Sequence, residues 1–238
     1  PLMDSIPVLT DQYKINEPGH LEADLVAHCG SNASGKFFHT LNATDIATEW
    51  CSLQILRAKT DDETKRGFKT IEIRLPFDIK GVDTDCGEEF INETVHDLFT
   101  KRDDPINQTR SRPYKKNDNA HIEQKNFRNV RTYMGYHRFE TDEQFALIDT
   151  LYKKYLEPYI NFFEPSFKVL RKERIGTKTK RFFDAPKTPC ERALEHPSLP
   201  ESFKVVLWNM QKKLDPYELK KGIDDTLHAL YKTVARSA

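Results

Sequence analysis

Residues 20–27 read HLEADLVA, and this alternation of apolar and polar side chains is typical of a β-strand. The alternation places both leucines on one face of the strand and Asp24 on the other. The stretch CGSNASG follows directly and predicts a turn. Two further strands are predicted at 35–42 and 50–57, which together form an antiparallel meander. Asp24 is therefore predicted to lie in the middle of a strand that belongs to the core.

Beyond the meander, helices and short strands alternate. Helices are predicted at 61–75, 90–99, 118–134 and 141–161, and short strands at 79–84 and 105–109. This order predicts an α/β fold, followed by two basic strands around Gly176 and then by C-terminal helices. The predicted domains are an extended lead-in at 1–19, a catalytic core at 20–162, a small basic β-barrel or hairpin at 163–188 and a C-terminal helical region at 189–238.

Composition narrows the class of protein. The chain has 238 residues, 37% of them hydrophobic, and its 37 basic and 37 acidic residues give zero net charge. Residues 1–104 nevertheless carry a balance of −9 and the remainder +9, so a basic half could face a polyanion. No apolar run approaches the ~20 residues that cross a bilayer. The four cysteines are far apart, which favours reduced thiols in a cytoplasmic protein.

Three acidic residues occupy unusual positions for a folded core. Asp24 interrupts an apolar strand, and Asp85 ends a short strand just before a turn. On its predicted helix, Glu123 continues the apolar stripe of Phe127, Val130 and Met134. Carboxylates brought together repel one another unless a cation lies between them, and oxygen ligands without His or Cys favour Mg²⁺ or Mn²⁺. Because the chain has 37 acidic residues, the triplet alone is a weak signal.

Three longer motifs strengthen this interpretation. They are PGHLEADLVAHCG at 18–30, LPFDIKGVDTDCGEEFIN at 75–92 and TRSRPYKKNDNAHIEQKNFRNVRTYMGYHRFE at 109–140. In this order they resemble the integrase catalytic core of bacterial insertion-sequence transposases, which belong to the DDE transposase and retroviral-integrase superfamily. The intervals, 60 residues between the aspartates and 37 before the glutamate, are similar to those of that superfamily.

The resemblance implies a particular fold and chemistry. It implies an RNase H-like mixed five-stranded sheet flanked by helices, in which Asp24, Asp85 and Glu123 are catalytic residues and hold two Mg²⁺ or Mn²⁺ ions. The implied reaction is metal-dependent cleavage of transposon ends followed by strand transfer. The sequence departs from the family at Cys86, where the family usually has Asn, and no helix-turn-helix region precedes Pro18.

DNA contacts are predicted on both sides of Glu123. Between Lys101 and Arg138 there are ten basic residues against four acidic ones. The predicted DNA-binding residues are Arg112, Tyr114, Lys115, Lys116, Asn119, Lys125, Asn126 and Arg128. A solvated helix face is the alternative for the basic residues, a helix cap for Asn119 and orientation of Glu123 for Asn126. The basic run 168–187 predicts a grip on the DNA backbone or an exposed hairpin.

The sequence therefore predicts a DNA transposase or integrase, a polynucleotidyl transferase that forms a homo-oligomer on transposon ends and target DNA at the nucleoid. It predicts no membrane segment and no small-molecule cofactor. Two alternatives remain open: an RNase H-like nuclease without strand transfer, and a decayed transposase that only binds DNA.

Overall fold

A mixed five-stranded sheet forms the centre of the protein, whose computed structural model describes residues 2–9, 15–112, 122–176 and 178–237. The strands are β1 (His20–Ala27), β2 (His39–Asp45), β3 (Cys51–Leu56), β4 (Gly81–Thr84) and β5 (Asn107–Arg110). Their order is β3-β2-β1-β4-β5, with β1 antiparallel to β2 and parallel to β4. The predicted α/β class is confirmed, and the arrangement is consistent with an RNase H-like sheet.

Two helices cover one face of this sheet. Helix α2 (Asp61–Arg74) begins at Thr60, whose hydroxyl accepts a hydrogen bond from the Glu63 amide. Helix α3 (Glu93–Thr100) begins at Asn92, whose side chain caps the Val95 amide. The buried cluster on this face comprises Leu21, Ala23, Leu41, Phe68, Ile71, Val95 and Phe99, among others. Leu21 and Ala23 of β1 therefore lie in this cluster and the partly buried Leu25 packs against it, so all three face the core as the alternation predicted.

The opposite face carries the helix that contains Glu123. This helix, α4, spans 122–134 and includes a π-helical segment at Phe127–Arg131. Helix α5 spans 142–163, begins with a capping box at Thr141 and also contains a π-helical segment at Leu151–Leu156. Val130, Met134 and Tyr152 are fully buried here against Val26 and the β3 side chains.

The C-terminal third is a hairpin followed by helices. Strands β6 (Val169–Ile175) and β7 (Lys178–Phe183) pair antiparallel as a two-stranded sheet, joined by Gly176 at φ 63°. The described residues thus show the hairpin alternative, and the small barrel is not confirmed. Helices α6 (Pro189–Glu195), α7 (Glu201–Lys213) and α8 (Pro216–Ser237) follow, and α8 packs on α5. Among the described residues, no helix is both long and apolar enough to cross a bilayer.

The predicted extended lead-in is wrong for its first turn. Residues Leu2–Ser5 form a short helix, α1, instead of extended chain. Tertiary contacts account for the difference, because the Arg110 guanidinium donates to the carbonyl oxygens of Met3 at 3.0 Å and Ile6 at 3.1 Å. Val8 then pairs with Arg110, which extends the edge of the sheet beyond β5.

Candidate active site

Two of the three predicted catalytic carboxylates lie side by side at the centre of the sheet. Ala23 and Thr84 are partners in the parallel ladder between β1 and β4, so the next residue on each strand is Asp24 and Asp85 respectively. The negative charge of Asp85 acts directly on Asp24. The strand order, rather than proximity in the sequence, therefore brings these two residues together.

The turn after β4 fixes the Asp85 carboxylate. Its Oδ1 accepts a hydrogen bond of 2.9 Å from the Gly87 amide. A Cβ atom at Gly87 would lie 2.5 Å from Glu89 Oε2, so a larger residue at this position would require the Glu89 carboxylate to move. Between them, the Cys86 thiol lies 3.3 Å from the Ser111 carbonyl oxygen, which directs it towards the end of β5.

An asparagine of helix α4 holds the Asp24 carboxylate. Asn126 Nδ2 donates to Asp24 Oδ2 at 2.7 Å, and its Oδ1 accepts from Asn42 Nδ2 at 2.8 Å. Asn42 is the direct partner of Asp24 in the β1–β2 ladder. One amide side chain therefore ties α4 to two adjacent strands at the position of the first predicted catalytic carboxylate.

The pKa of Asp24 is raised by its burial and by the neighbouring carboxylates. Burial is the largest cause that raises the pKa of Asp24, and the charge of Asp85 raises it further, to about 6. Hydrogen bonds from the Leu25 amide and from Asn126 oppose this shift, and the charge of Glu89 adds to it. A raised carboxylate pKa in a cluster of like charges is typical of sites where a cation or a proton is bound.

Glu123 is exposed in this structure and does not continue the buried stripe that the sequence predicted. Phe127 is also 60% exposed, whereas Val130 and Met134 are fully buried. The π-helical segment explains the difference, because its wider turn rotates residues before it relative to those after it. Spacings of four and seven residues across this segment no longer mark one face of the helix.

Two carboxylates in the described part of the chain are placed so that they could bind one divalent ion. Asp24 and Asp85 are adjacent hard oxygen donors, and a cation between them would remove the repulsion that raises the Asp24 pKa. Among the described ranges, however, no three His, Cys, Asp or Glu side chains are close enough to hold a metal ion. Glu123 is thus not gathered with the aspartates in this arrangement.

The predicted DNA-binding residues divide into four sets. Arg112 is exposed immediately after β5, and Asn126 is bound to Asp24. Lys125 and Arg128 have internal roles instead, because Lys125 pairs with the buried Glu49 at 2.6 Å and Arg128 pairs with Glu164 at 3.2 Å. The remaining four predictions lie outside the described residues: Tyr114, Lys115, Lys116 and Asn119.

Sequence reasoning missed a buried charge next to the aspartates. The Glu89 side chain is only 3% exposed, and it pairs with the half-exposed Lys59 at 2.9 Å. Its Oε2 atom is buried without a hydrogen-bond partner in the described structure. Glu89 lies within the motif at 75–92, but only the turn at Gly87 and the strand order reveal that it approaches Asp24.

Replacing Asn126 with alanine is expected to raise the pKa of Asp24 above about 6, because this removes a hydrogen bond that favours the charged carboxylate. A carbon-13 NMR titration of the aspartate carboxyl groups would measure the shift. The Asn107→Ala variant, at the exposed start of β5, serves as the control and should leave the Asp24 titration unchanged. An unchanged or lowered pKa in Asn126→Ala would show that this hydrogen bond does not stabilise the carboxylate.

Comparison with known proteins identifies a relative without an assigned activity. The chain is 37% identical over 189 residues to a protein of Sinorhizobium fredii described as the uncharacterized protein y4rM. The match covers 79% of this chain and 53% of that protein, so the chain spans about half the length of the curated relative it matches. No family model matches the chain.

A solved structure shares the fold. The chain is similar to a chain of the simian T-cell lymphotropic virus intasome in complex with PP2A regulatory subunit B56 gamma, with a TM-score of 0.51. The two are 14% identical, and the match covers 78% of this chain and 58% of that chain. At this identity the likeness concerns the fold alone, which is of the kind present in a retroviral intasome.

Proposed function

We propose that this chain is the catalytic part of a DNA transposase or integrase that cuts transposon ends and joins them to target DNA. The observation that carries the proposal is the adjacency of Asp24 and Asp85 on neighbouring parallel strands of a sheet that is consistent with an RNase H-like fold. Asp85 directly follows the end of β4, and the ends of strands are a usual place for ligand groups in α/β proteins.

In this proposal Asp24, Asp85 and Glu123 hold Mg²⁺ or Mn²⁺. Two such ions, when bound, would activate the attacking oxygen and stabilise the leaving oxygen of a phosphodiester. Asp24 and Asp85 supply adjacent carboxylates, and the Asn126 amide keeps Asp24 oriented through Oδ2. Glu123 would complete the site by turning from solvent towards the aspartates, since it lies three residues before Asn126 on the same helix.

DNA would approach the acidic site along its basic neighbours. Arg112 follows β5 next to the Asp85 turn, and the predicted contacts Tyr114, Lys115, Lys116 and Asn119 precede Glu123 in the sequence. The hairpin contributes exposed cations, including Arg171, whose guanidinium pairs with the exposed Glu173 at 3.1 Å and lies 4.2 Å from the centroid of the Phe182 ring. Such cations contact phosphates without reading sequence. Joining two ends in one event would require a homo-oligomer assembled on DNA.

A branched DNA substrate tests this function without knowledge of the terminal repeats. The substrate is a junction with a free 3′-hydroxyl beside the branch, so that attack by this hydroxyl reverses strand transfer and releases a sealed duplex. With Mn²⁺ present, we expect a sealed duplex and a freed branch, separable on a denaturing gel. Hydrolysis without sealing would instead indicate an RNase H-like nuclease, and retention of the intact branch in a gel shift would indicate a protein that only binds DNA.

A further inference from the structure

The turn between β2 and β3 contains a buried, strained glutamate. Glu49 has φ 63°, the only positive φ at a non-glycine position in the described residues. Its amide donates to the Asp45 carbonyl oxygen at 2.8 Å, and its side chain is 5% exposed. Such backbone strain persists only where surrounding contacts determine it, and it is frequent at functional positions.

The two carboxylate oxygens of Glu49 bind two different parts of the protein. Oε1 pairs with Lys125 Nζ at 2.6 Å, and the Lys125 side chain is 9% exposed. Oε2 accepts a hydrogen bond from the Ser166 hydroxyl. Burial opposes ionisation of Glu49, but Lys125 and Ser166 outweigh it and lower the pKa of Glu49 to about 2. The carboxylate is therefore charged and fully engaged at both oxygens.

One partner, Lys125, belongs to the helix that carries the third proposed metal ligand. It lies two residues after Glu123 and directly before Asn126, which binds Asp24. The buried ion pair with Glu49 fixes the first turn of the described part of α4 against the sheet. A change at Glu49 would consequently move the segment from which Glu123 and Asn126 project.

The other partner, Ser166, forms the base of the basic hairpin. Its amide and carbonyl exchange hydrogen bonds with Lys187 at 2.9 and 3.1 Å, and the carbonyl also accepts from Arg192 Nη2 at 2.7 Å. Lys168, at the start of the hairpin, donates to the Ala47 carbonyl at 2.9 Å in the same β2–β3 turn. The hairpin base is thus attached to the turn by both a side chain and a backbone acceptor.

From these contacts we propose that Glu49 is a positioning residue that couples the basic hairpin to α4, so that DNA bound on the hairpin orders the helix that carries Glu123. The inference rests on the proposed function, because it requires DNA to be the ligand of the hairpin. A single carboxylate shared by the two elements gives a direct physical route, since displacement of Ser166 leaves one oxygen of a buried charge without its partner.

Amide hydrogen exchange with and without a short mixed-sequence DNA duplex tests the coupling without any measurement of activity. In the wild-type protein, DNA should slow exchange in the hairpin strands at 169–175 and 178–183 and also in α4 at 123–131. In Ser166→Ala we expect the hairpin response to remain, while the helix response falls by about fivefold or more, the scale of a modest coupling between sites. Ser198→Ala, which removes an exposed hydroxyl bonded to His196, is the matched control.

The possible outcomes distinguish a failure of the coupling through Glu49 from a failure of DNA binding by the hairpin. Equal slowing of α4 in wild type and Ser166→Ala would overturn the role of Glu49, because the helix would then respond without the shared contact. If DNA slows amide exchange only in the hairpin of the wild-type protein, and not in α4, the role of Glu49 is also overturned. If DNA slows exchange in neither segment, the hairpin is not a DNA site and the coupling falls with that premise. Glu49→Gln, which keeps a hydrogen-bonding group but removes the charge, should reproduce the loss of the helix response.

Discussion

Replacing Asp24 or Asp85 with asparagine is expected to reduce sealing of the branched DNA by at least about a hundredfold, because a lost metal ligand removes several kcal/mol of transition-state stabilisation. Asparagine keeps the size of the side chain, although at position 24 its single oxygen can accept from only one of the two present donors, the Leu25 amide and Asn126 Nδ2. Asp85 Oδ1 accepts from the Gly87 amide, and an asparagine side-chain oxygen can accept the same hydrogen bond. The rate of sealing under single-turnover conditions, in Mn²⁺, measures the effect.

Asp104→Asn is the matched control for these two variants. Asp104 is exposed before β5, at the edge of the sheet opposite the Asp85 turn, and its replacement should leave the rate unchanged. Thermal unfolding of all three variants would establish that they are folded. Full activity in a folded Asp24→Asn or Asp85→Asn protein would refute the catalytic assignment of these carboxylates.

The contribution of Asp24 to the stability of the metal-free protein should fall as pH rises from about 4 to about 6. The folded-state pKa of Asp24 is about 6, above the ordinary aspartate value of 3.8, so the folded protein binds more protons than the unfolded chain across this range. The stabilisation is complete below the unfolded pKa and is lost as pH rises through the folded pKa. For Asp24 the loss is on the order of 2 kcal/mol, and urea unfolding in the presence of a chelator would measure it.

Asp24→Asn isolates this contribution, because other buried carboxyls with raised pKa values, such as Asp45 and Glu157, are present in both proteins. The variant should become more stable than the wild type above about pH 6. Added Mn²⁺ should then stabilise the wild type and not the variant, since a ligand that binds only the folded state raises its stability. Parallel pH profiles in the two proteins would contradict the raised pKa of Asp24.

Local patterns in the sequence were sufficient to predict the centre of the fold. The alternation in HLEADLVA predicts β1 with its observed bounds, His20–Ala27. The three-strand meander and the basic strands on either side of Gly176 are also confirmed, although β2 begins four residues later than predicted. These elements follow from turn residues and from periodicity within one strand, which need no knowledge of distant contacts.

Structural features that depend on contacts between residues far apart in the sequence could not be predicted from local patterns. A regular helical spacing predicted a buried Glu123, but the π-helical segment at Phe127–Arg131 breaks that spacing. Lys125 has the appearance of a DNA contact in a basic stretch, yet Glu49, 76 residues earlier, neutralises it. Likewise, local patterns do not place Asp85 beside Asp24; the resemblance implied that they share a site, and the parallel register brings them together. Pairing partners of buried charges are decided by topology, which the local sequence does not specify.

A crystal structure of the protein soaked in Mn²⁺ would test the central claim most directly, because anomalous scattering locates the ion independently of any activity. We expect an anomalous peak between the carboxylates of Asp24 and Asp85, with Glu123 turned inward to complete its ligands. A map without a peak at these aspartates, from crystals that hold Mn²⁺ elsewhere or remain empty at saturating concentration, would contradict a catalytic metal site in this protein.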